Sequence, residues 1–526
     1  MSDDFSEMSD DELWERFENA ENFEKGLILF TLYHRRMHEG EYNSAFAMAE
    51  QARDIFAALG ATREHAMATQ RLANALAEMG DFHSAIDGYN KAASIYISCG
   101  ADYDTAWCEK YIGDNYWKLD DFESALAHYD SSLKIFESID EIRGMAMAAE
   151  EMGHALFRLG KYQESLDSYE VAVKHAIASE STIHIFNSQR GAAEAALATG
   201  DTQKALHFAE RFFALSLTCT CKSCEFYPHV LLGRALYATG QIQPAASHFE
   251  IAKNGYHERS DTKGQITPLV ELAFCEMERN AGRARNMFEH VQTLVEMFPS
   301  QIRPKIRLHV GLGLIAQQRG NLEAAKAYFE IAYETAATQM RFMAERHRML
   351  PNYLEVLNAL NEHGEILLIL EQIKSENGGW CIPEGLRFMH QAQSYYTLGR
   401  TDEALTIANE GIYHAGTDLM DIEAKAHFHE LRGRILLATD QHEANRSFQN
   451  AMAYYLQIGR PDLAHAVGEF SVLEPEQRHQ EEMDEQADHD AYEELFGCSD
   501  PILEQHQDDL DAARNHKNLD QSEGSA

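Results

Sequence analysis

The sequence predicts an all-α fold, a right-handed α-solenoid superhelix of about eleven helical hairpins. Apolar residues recur at helical spacing, and almost no stretch alternates as a strand would. A short phrase of small and apolar residues runs into a turn at Gly40, Gly80, Asp120, Gly160, Gly200 and Gly240, and again at Gly320, Gly399 and Asp440. Its period is 40 residues, with weaker copies near Asn280 and Leu360. A fixed period of this kind marks stacked units, each too small to bury its apolar stripe without its neighbours.

The stretch Glu151–Ala176 shows one unit clearly. Met152, Ala155, Leu156 and Leu159 form a stripe before Gly160; Tyr162, Leu166, Tyr169, Val173 and Ala176 form one after it. That spacing predicts two amphipathic helices around a tight turn. Glycine suits the turn because a helix often ends in a left-handed backbone.

The same phrase recurs with a constant offset. Ile112-Gly113-Asp114-Asn115-Tyr116 leads to Asp120, Phe122 and Ala125. Met152-Gly153-His154-Ala155-Leu156 leads to Gly160, Tyr162 and Ser165. Leu232-Gly233-Arg234-Ala235-Leu236 leads to Gly240, Ile242 and Ala245. From roughly Gly40 to Leu456 the chain resembles the tetratricopeptide repeat (TPR) family. Its 40-residue period is longer than the usual repeat of about 34 residues, and the proline after the second helix is mostly missing. It is therefore similar to the long-repeat variant of partner-of-inscuteable scaffolds, kinesin light chains and bacterial peptide sensors.

Taken in order, residues 1–22 read as a leader and a capping helix. Ser9-Asp10-Asp11-Glu12 has the form of a capping box, and a helix through Phe17 and Phe23 is expected to cover the open end of the array. Residues 23–256 read as the regular half of the array, and 257–470 as a less regular half closed by a terminal helix through Phe470. In the second half, Pro299 and Pro304 are expected to bracket a break, Asn377-Gly378-Gly379 to end a helix, and Pro383 to open the next. Residues 471–526 carry seventeen acidic residues against three basic ones, which predicts a mostly disordered acidic tail. Within it, Ala491–Phe496 has interleaved aromatics that read either as a short linear motif or as part of a solubilising tail.

Composition narrows the function. A net charge of −40 over 526 residues opposes binding to nucleic acid or to anionic membrane. No apolar run is long enough to span a bilayer. The acidic start MSDDFSEMSDDE does not read as a secretory signal, and eight scattered cysteines do not form a disulfide framework. A cytoplasmic location is expected. No P-loop, dinucleotide fingerprint, nucleophile elbow or H-E-x-x-H motif is present, so no enzyme and no cofactor is predicted.

Cys219, Cys221 and Cys224 form a C-x-C-x-x-C loop. Thiolates at that spacing suit zinc or copper, with His207 or His229 as candidate fourth ligands. A labile disulfide or inert loop cysteines are the alternatives.

The resemblance implies a second kind of site. In the family, the first helix of each hairpin lines a concave groove that holds a protein or peptide. Inward positions then fall on Gln70 and Asn74; Lys110, Asp114, Trp117 and Lys118; Glu150, His154, Phe157 and Arg158; Arg190 and Glu194; Arg234 and Tyr237. Arginine, carboxylate and aromatic groups in that mixture suit charge-assisted hydrogen bonds and anchored side chains. The carboxylate clamp of the chaperone-binding members is not reproduced, because Gln70 stands where their lysine would be.

The favoured reading is a non-enzymatic scaffold that binds a protein or peptide. A peptide-sensing regulator whose superhelix changes shape on binding, and a module with a structural metal at the cysteine loop, are the alternatives. The acidic tail is also expected to be charge-complementary to the basic groove residues.

Overall fold

The computed structural model describes residues 5–218, 225–277, 279–375, 384–414 and 419–470. Among them the chain is helical, and helices flank all eleven predicted turns. Most helices of the first half are 17 residues long: Ile142–Arg158 and Tyr162–Ala178 around Gly160 are typical. Sequential helices pack against each other from Asn22–Glu39 through Leu322–Ala337, and again from His363–Ser375 through Pro461–Gly468. The described chain divides into two compact units, Met1–Met349 and Leu350 onward.

Left-handed backbone occurs at more positions than the 40-residue period predicts. Gly40, Gly80, Asp120, Gly160, Gly200, Gly240 and Gly320 have positive φ, as predicted for turns within hairpins. So do Gly60, Gly100, Asp140, Glu180 and Ser260, which lie between hairpins. The structural beat is thus 20 residues, and Gly60 and Gly100 are its trace in the sequence.

The close approach of paired helices rests on a repeated steric match. A Cβ at Gly153 would lie 2.8 Å from the Tyr169 ring, one at Gly113 2.6 Å from Tyr129, and one at Gly233 2.7 Å from Phe249. Each small residue of the recurring phrase makes room for the aromatic of its partner helix. Tyr129, Phe249, Phe329 and Phe448 are accordingly buried. Buried alanines such as Ala125, Ala155, Ala205 and Ala245 fill the remaining contacts, which keeps the interior close-packed.

The capping box is present in full: the Glu12 amide donates to Ser9 Oγ, and the Ser9 amide donates to Glu12 Oε2 at 2.7 Å. Two expectations change. Phe17 and Phe23 do not share a helix; Asp10–Asn19 ends at the extended Ala20 and a new helix, Asn22–Glu39, begins. Pro304 marks no break either. It lies in the first turn of Ile302–Gln318, where its missing N–H would have had no partner within the helix. The turn at Leu360-Asn361-Glu362 forms, with Asn361 left-handed. Asn377-Gly378-Gly379, Pro383 and residues 471–526 lie outside the described residues.

One contact in the first unit spans a long stretch of sequence. After Leu322–Ala337 the chain makes a 3-10 turn, Met340–Phe342, which returns to the Gly160 hairpin. The Tyr162 hydroxyl donates to the Met340 carbonyl (3.2 Å) and accepts from the Ala344 amide (3.0 Å). Tyr162, Met343 and Ala344 pack together beside Phe157 and Ala198. This clasp closes the Gly160–Gly320 hairpins around an interior space.

Candidate functional site

That space is a cavity of about 440 Å³, within the range of pockets that hold small ligands or peptide side chains. Its wall is built from the first helices of six consecutive hairpins. Asp102–Lys118 supplies Trp117, and Ile142–Arg158 supplies His154, Phe157 and Arg158. Thr182–Thr199 supplies Arg190 and Glu194, and Tyr227–Ala238 supplies Tyr227 and Arg234. Thr262–Met277 gives Thr267, and Ile302–Gln318 gives Arg303 and Pro304. The returning turn closes it with Arg341 and Phe342.

Half of the predicted groove residues therefore meet at one place: Trp117, His154, Phe157, Arg158, Arg190, Glu194 and Arg234. The rest are placed elsewhere. Gln70 and Asn74 accept from the hydroxyls of Tyr96 (2.9 Å) and Tyr89 (2.7 Å) on the paired helix. Lys110 pairs with Asp114 at 2.6 Å, and Asp114 also accepts from Tyr129. Glu150 is buried between repeats, 2.9 Å from His184 Nδ1 and 3.4 Å from Ser188 Oγ. Lys118 is exposed and Tyr237 half-buried; neither lines the cavity.

The lining is basic. Five arginines (Arg158, Arg190, Arg234, Arg303 and Arg341) face one glutamate, Glu194. Glu194 is itself engaged, accepting from the Tyr227 hydroxyl at 2.7 Å. Arg303 Nε lies 2.7 Å from the buried Glu345. Glu271, also buried, holds Arg307 at 2.6 Å and Arg234 at 3.7 Å. Arg158 reaches Asp120 at 3.3 Å and lies over the rings of Phe122 and Trp117. Arg341 covers Phe342, its Nε donating to Gln339. Among the described residues, Arg190 has no hydrogen-bond or ion-pair partner.

The protonation equilibria reflect this crowding. Burial would raise the Glu345 carboxyl, but Arg303, Arg234 and Arg348 outweigh it and hold it below its usual range. Burial, then Arg158 and Arg303, lower the Arg341 guanidinium. Arg348 keeps an accessible side chain yet lies deep within the array. Desolvation lowers it to about 10, against the pull of Glu345 and with the help of Arg234, Arg307 and Arg303.

Sequence reasoning missed the wall from the Gly320 hairpin and the returning turn. Its signal was a pair of basic runs in an acidic chain, Ile302–Arg307 and Arg341–Arg348.

Cys219, Cys221 and Cys224 lie outside the described residues. Among those described, no group of three or more His, Cys, Asp or Glu is arranged to hold a metal. His207 lies edge-on to Phe208, and His229 Nδ1 is 2.8 Å from His248 Nδ1, both imidazoles lowered by burial. No helix among the described residues is long and apolar enough to cross a membrane.

Family models of the tetratricopeptide repeat match residues 64–138 and 306–338. No curated protein matches the chain. Among solved structures, the chain is similar to the TPR-like repeats of a kinesin light chain of Podosopora anserina, at 20% identity over 37% of this chain and 95% of that one, with a TM-score of 0.32. It is also similar to the human IFIT1 dimer with m7Gppp-AAAA, at 14% identity over 77% and 89% of the two chains, TM-score 0.44. A Rap protein complexed with Competence and Sporulation Factor shows 13% identity over 74% and 99%, TM-score 0.40. Both model matches fall on hairpins of the 40-residue series, and the phrase, the turns and the glycine–aromatic contacts recur beyond them, so the chain carries tetratricopeptide repeats.

Proposed function

We propose that the chain is a non-enzymatic scaffold that holds a segment of a protein or peptide against the first helices of its repeats. The cavity of the Met1–Met349 unit is its principal seat. One observation carries this reading: inward positions from four consecutive hairpins, Trp117 to Arg234, converge with the returning turn on one partly open space. Its aromatic groups Trp117, Phe157 and Phe342 offer anchor surfaces, and its arginines offer fixed forks for main-chain carbonyls and acidic groups. The long-range clasp gives the peptide-sensing alternative a physical basis, since a ligand that strains Tyr162 away from Met340 would open the ring of hairpins.

The test is selection of binders from an unbiased random-peptide display library on the full chain. A photo-crosslinking phenylalanine analogue at Phe157, or at the exposed Ile183, then reports where they bind. Crosslinking at Phe157 and not at Ile183 is the expected result. Binders that crosslink only at Ile183, or at neither position, overturn the reading.

A further inference from the structure

The sign of the charge in the cavity is opposite to that of the chain. The protein carries −40, yet five arginines from five separate elements line one wall-to-wall space with Glu194 as the opposing charge. Two more are close by: Arg307 pairs with Glu271, and Arg348 is near enough to feel the charges of Arg234, Arg307 and Arg303. Glu271, which pairs with Arg234 and Arg307, and Glu345, which pairs with Arg303, are buried and back these arginines without lining the cavity. They fix the guanidinium groups in place, as second-layer partners do in preorganised sites. Arg190 faces the space with no partner among the described residues, and Arg341 is disfavoured in its charged form by burial, Arg158 and Arg303. Guanidinium groups so crowded repel one another, and an anion placed among them removes that repulsion while gaining bidentate hydrogen bonds.

Building on the scaffold reading, we propose that the segment held in this cavity is anionic. It is a short acidic peptide stretch, bearing carboxylate or phosphate groups, with an apolar side chain seated among Trp117, Phe157 and Phe342. A peptide fits better than a nucleic acid. The cavity is small, its wall includes Val230, Ile302 and Pro304, and the acidic surface elsewhere repels a long polyphosphate strand.

The experiment starts from the display-selected binders that crosslink at Phe157, measured by fluorescence anisotropy on the full chain. Asp and Glu are expected to be enriched in them. Replacing those residues by Asn and Gln should weaken binding roughly tenfold or more, as lost charge-assisted contacts do. The double variant Arg190→Gln/Arg341→Gln should lose affinity to a similar degree. Neither arginine pairs with a buried carboxylate, and an unchanged thermal midpoint confirms that the variant is folded. Phosphoserine in place of Glu distinguishes the two sources of charge: tighter binding points to a phosphorylated segment, and equal or weaker binding to a carboxylate-rich one. Neutral or basic binders at Phe157, insensitive to the arginine substitutions, overturn the anionic assignment and leave the scaffold reading standing. A single-stranded oligonucleotide that binds the full chain more tightly than every acidic peptide overturns it in favour of nucleic acid. Absence of any crosslink at Phe157 instead brings down the scaffold reading beneath it.

Discussion

At the scale of single residues, the fold depends on pairs that the sequence states only by spacing. Gly153 and Tyr169 are sixteen positions apart, as are Gly113 and Tyr129, and Gly233 and Phe249. A glycine within a helix costs about 1 kcal/mol relative to alanine, so its recurrence has to be explained by contact. The explanation is the ring that would meet a Cβ at under 3 Å. Gly153→Val should destabilise the first unit by about 2–3 kcal/mol through overpacking and a poorer helix former, read by chemical denaturation. In the second unit, His390 and His429 are buried, and burial lowers each imidazole to about 4, assisted by His427 for His390 and by Arg432 and Lys425 for His429. The unfolded chain takes up these protons near pH 6.5 while the folded chain resists until about 4, so stability is complete above 6.5 and declines below it. From pH 6.5 to 5 the loss should be about 2 kcal/mol per histidine. Hydrogen exchange of residues 384–470 across that range would show it, and His429→Gln should flatten the slope.

Among the elements, hairpins and their turns were legible because each states its boundaries locally. Gly40 to Gly320 announce left-handed caps, and Ser9 with Glu12 announces a helix start. What was not legible is non-local. Nothing near Tyr162 in sequence says that its hydroxyl meets Met340 and Ala344, almost 180 residues on. Hence half of the predicted groove residues reach the candidate site, while its far wall could not be named. Inward position within a repeat is a local property, whereas Arg303, Arg341 and Phe342 join the site only because the array curves back. Glu150, Gln70 and Asn74 show the converse error: their positions fit the inward rule, but tyrosine hydroxyls or histidine and serine of neighbouring helices engage them first. The clasp itself can be tested. Tyr162→Phe keeps the packing against Met343 and removes both hydrogen bonds, and should cost about 1–2 kcal/mol. Hydrogen exchange should rise at residues 340–344 and stay unchanged in the Gly40 and Gly80 hairpins. No local rise at 340–344 would mean that the clasp does not hold the ring closed.

For the whole molecule, the arrangement of charge matters more than its total. A net −40 argues against nucleic-acid binding when read as a sum, yet it coexists with a cavity dominated by arginine. Interactions among exposed charges fade over about 8–10 Å at physiological ionic strength, so an interior cluster backed by buried carboxylates keeps its own field. Binding of an acidic peptide there should weaken as salt rises, but less steeply than a surface ion pair would, because the forks lie partly desolvated. The sequence also contains a segment whose charge suits it to compete. Residues 471–526, with seventeen acidic groups against three basic, have the chemistry proposed for the ligand. If they occupy the arginines, removing them should tighten binding of a selected acidic peptide by several-fold, since apparent affinity scales with the fraction of sites left open. Supplying the same segment in trans should restore the weaker value, and Arg190→Gln/Arg341→Gln should abolish the difference between the full chain and the 1–470 form. Equal affinity for both forms, with the arginine variants still impaired, would assign the acidic segment to solubility and leave the cavity to an external partner alone.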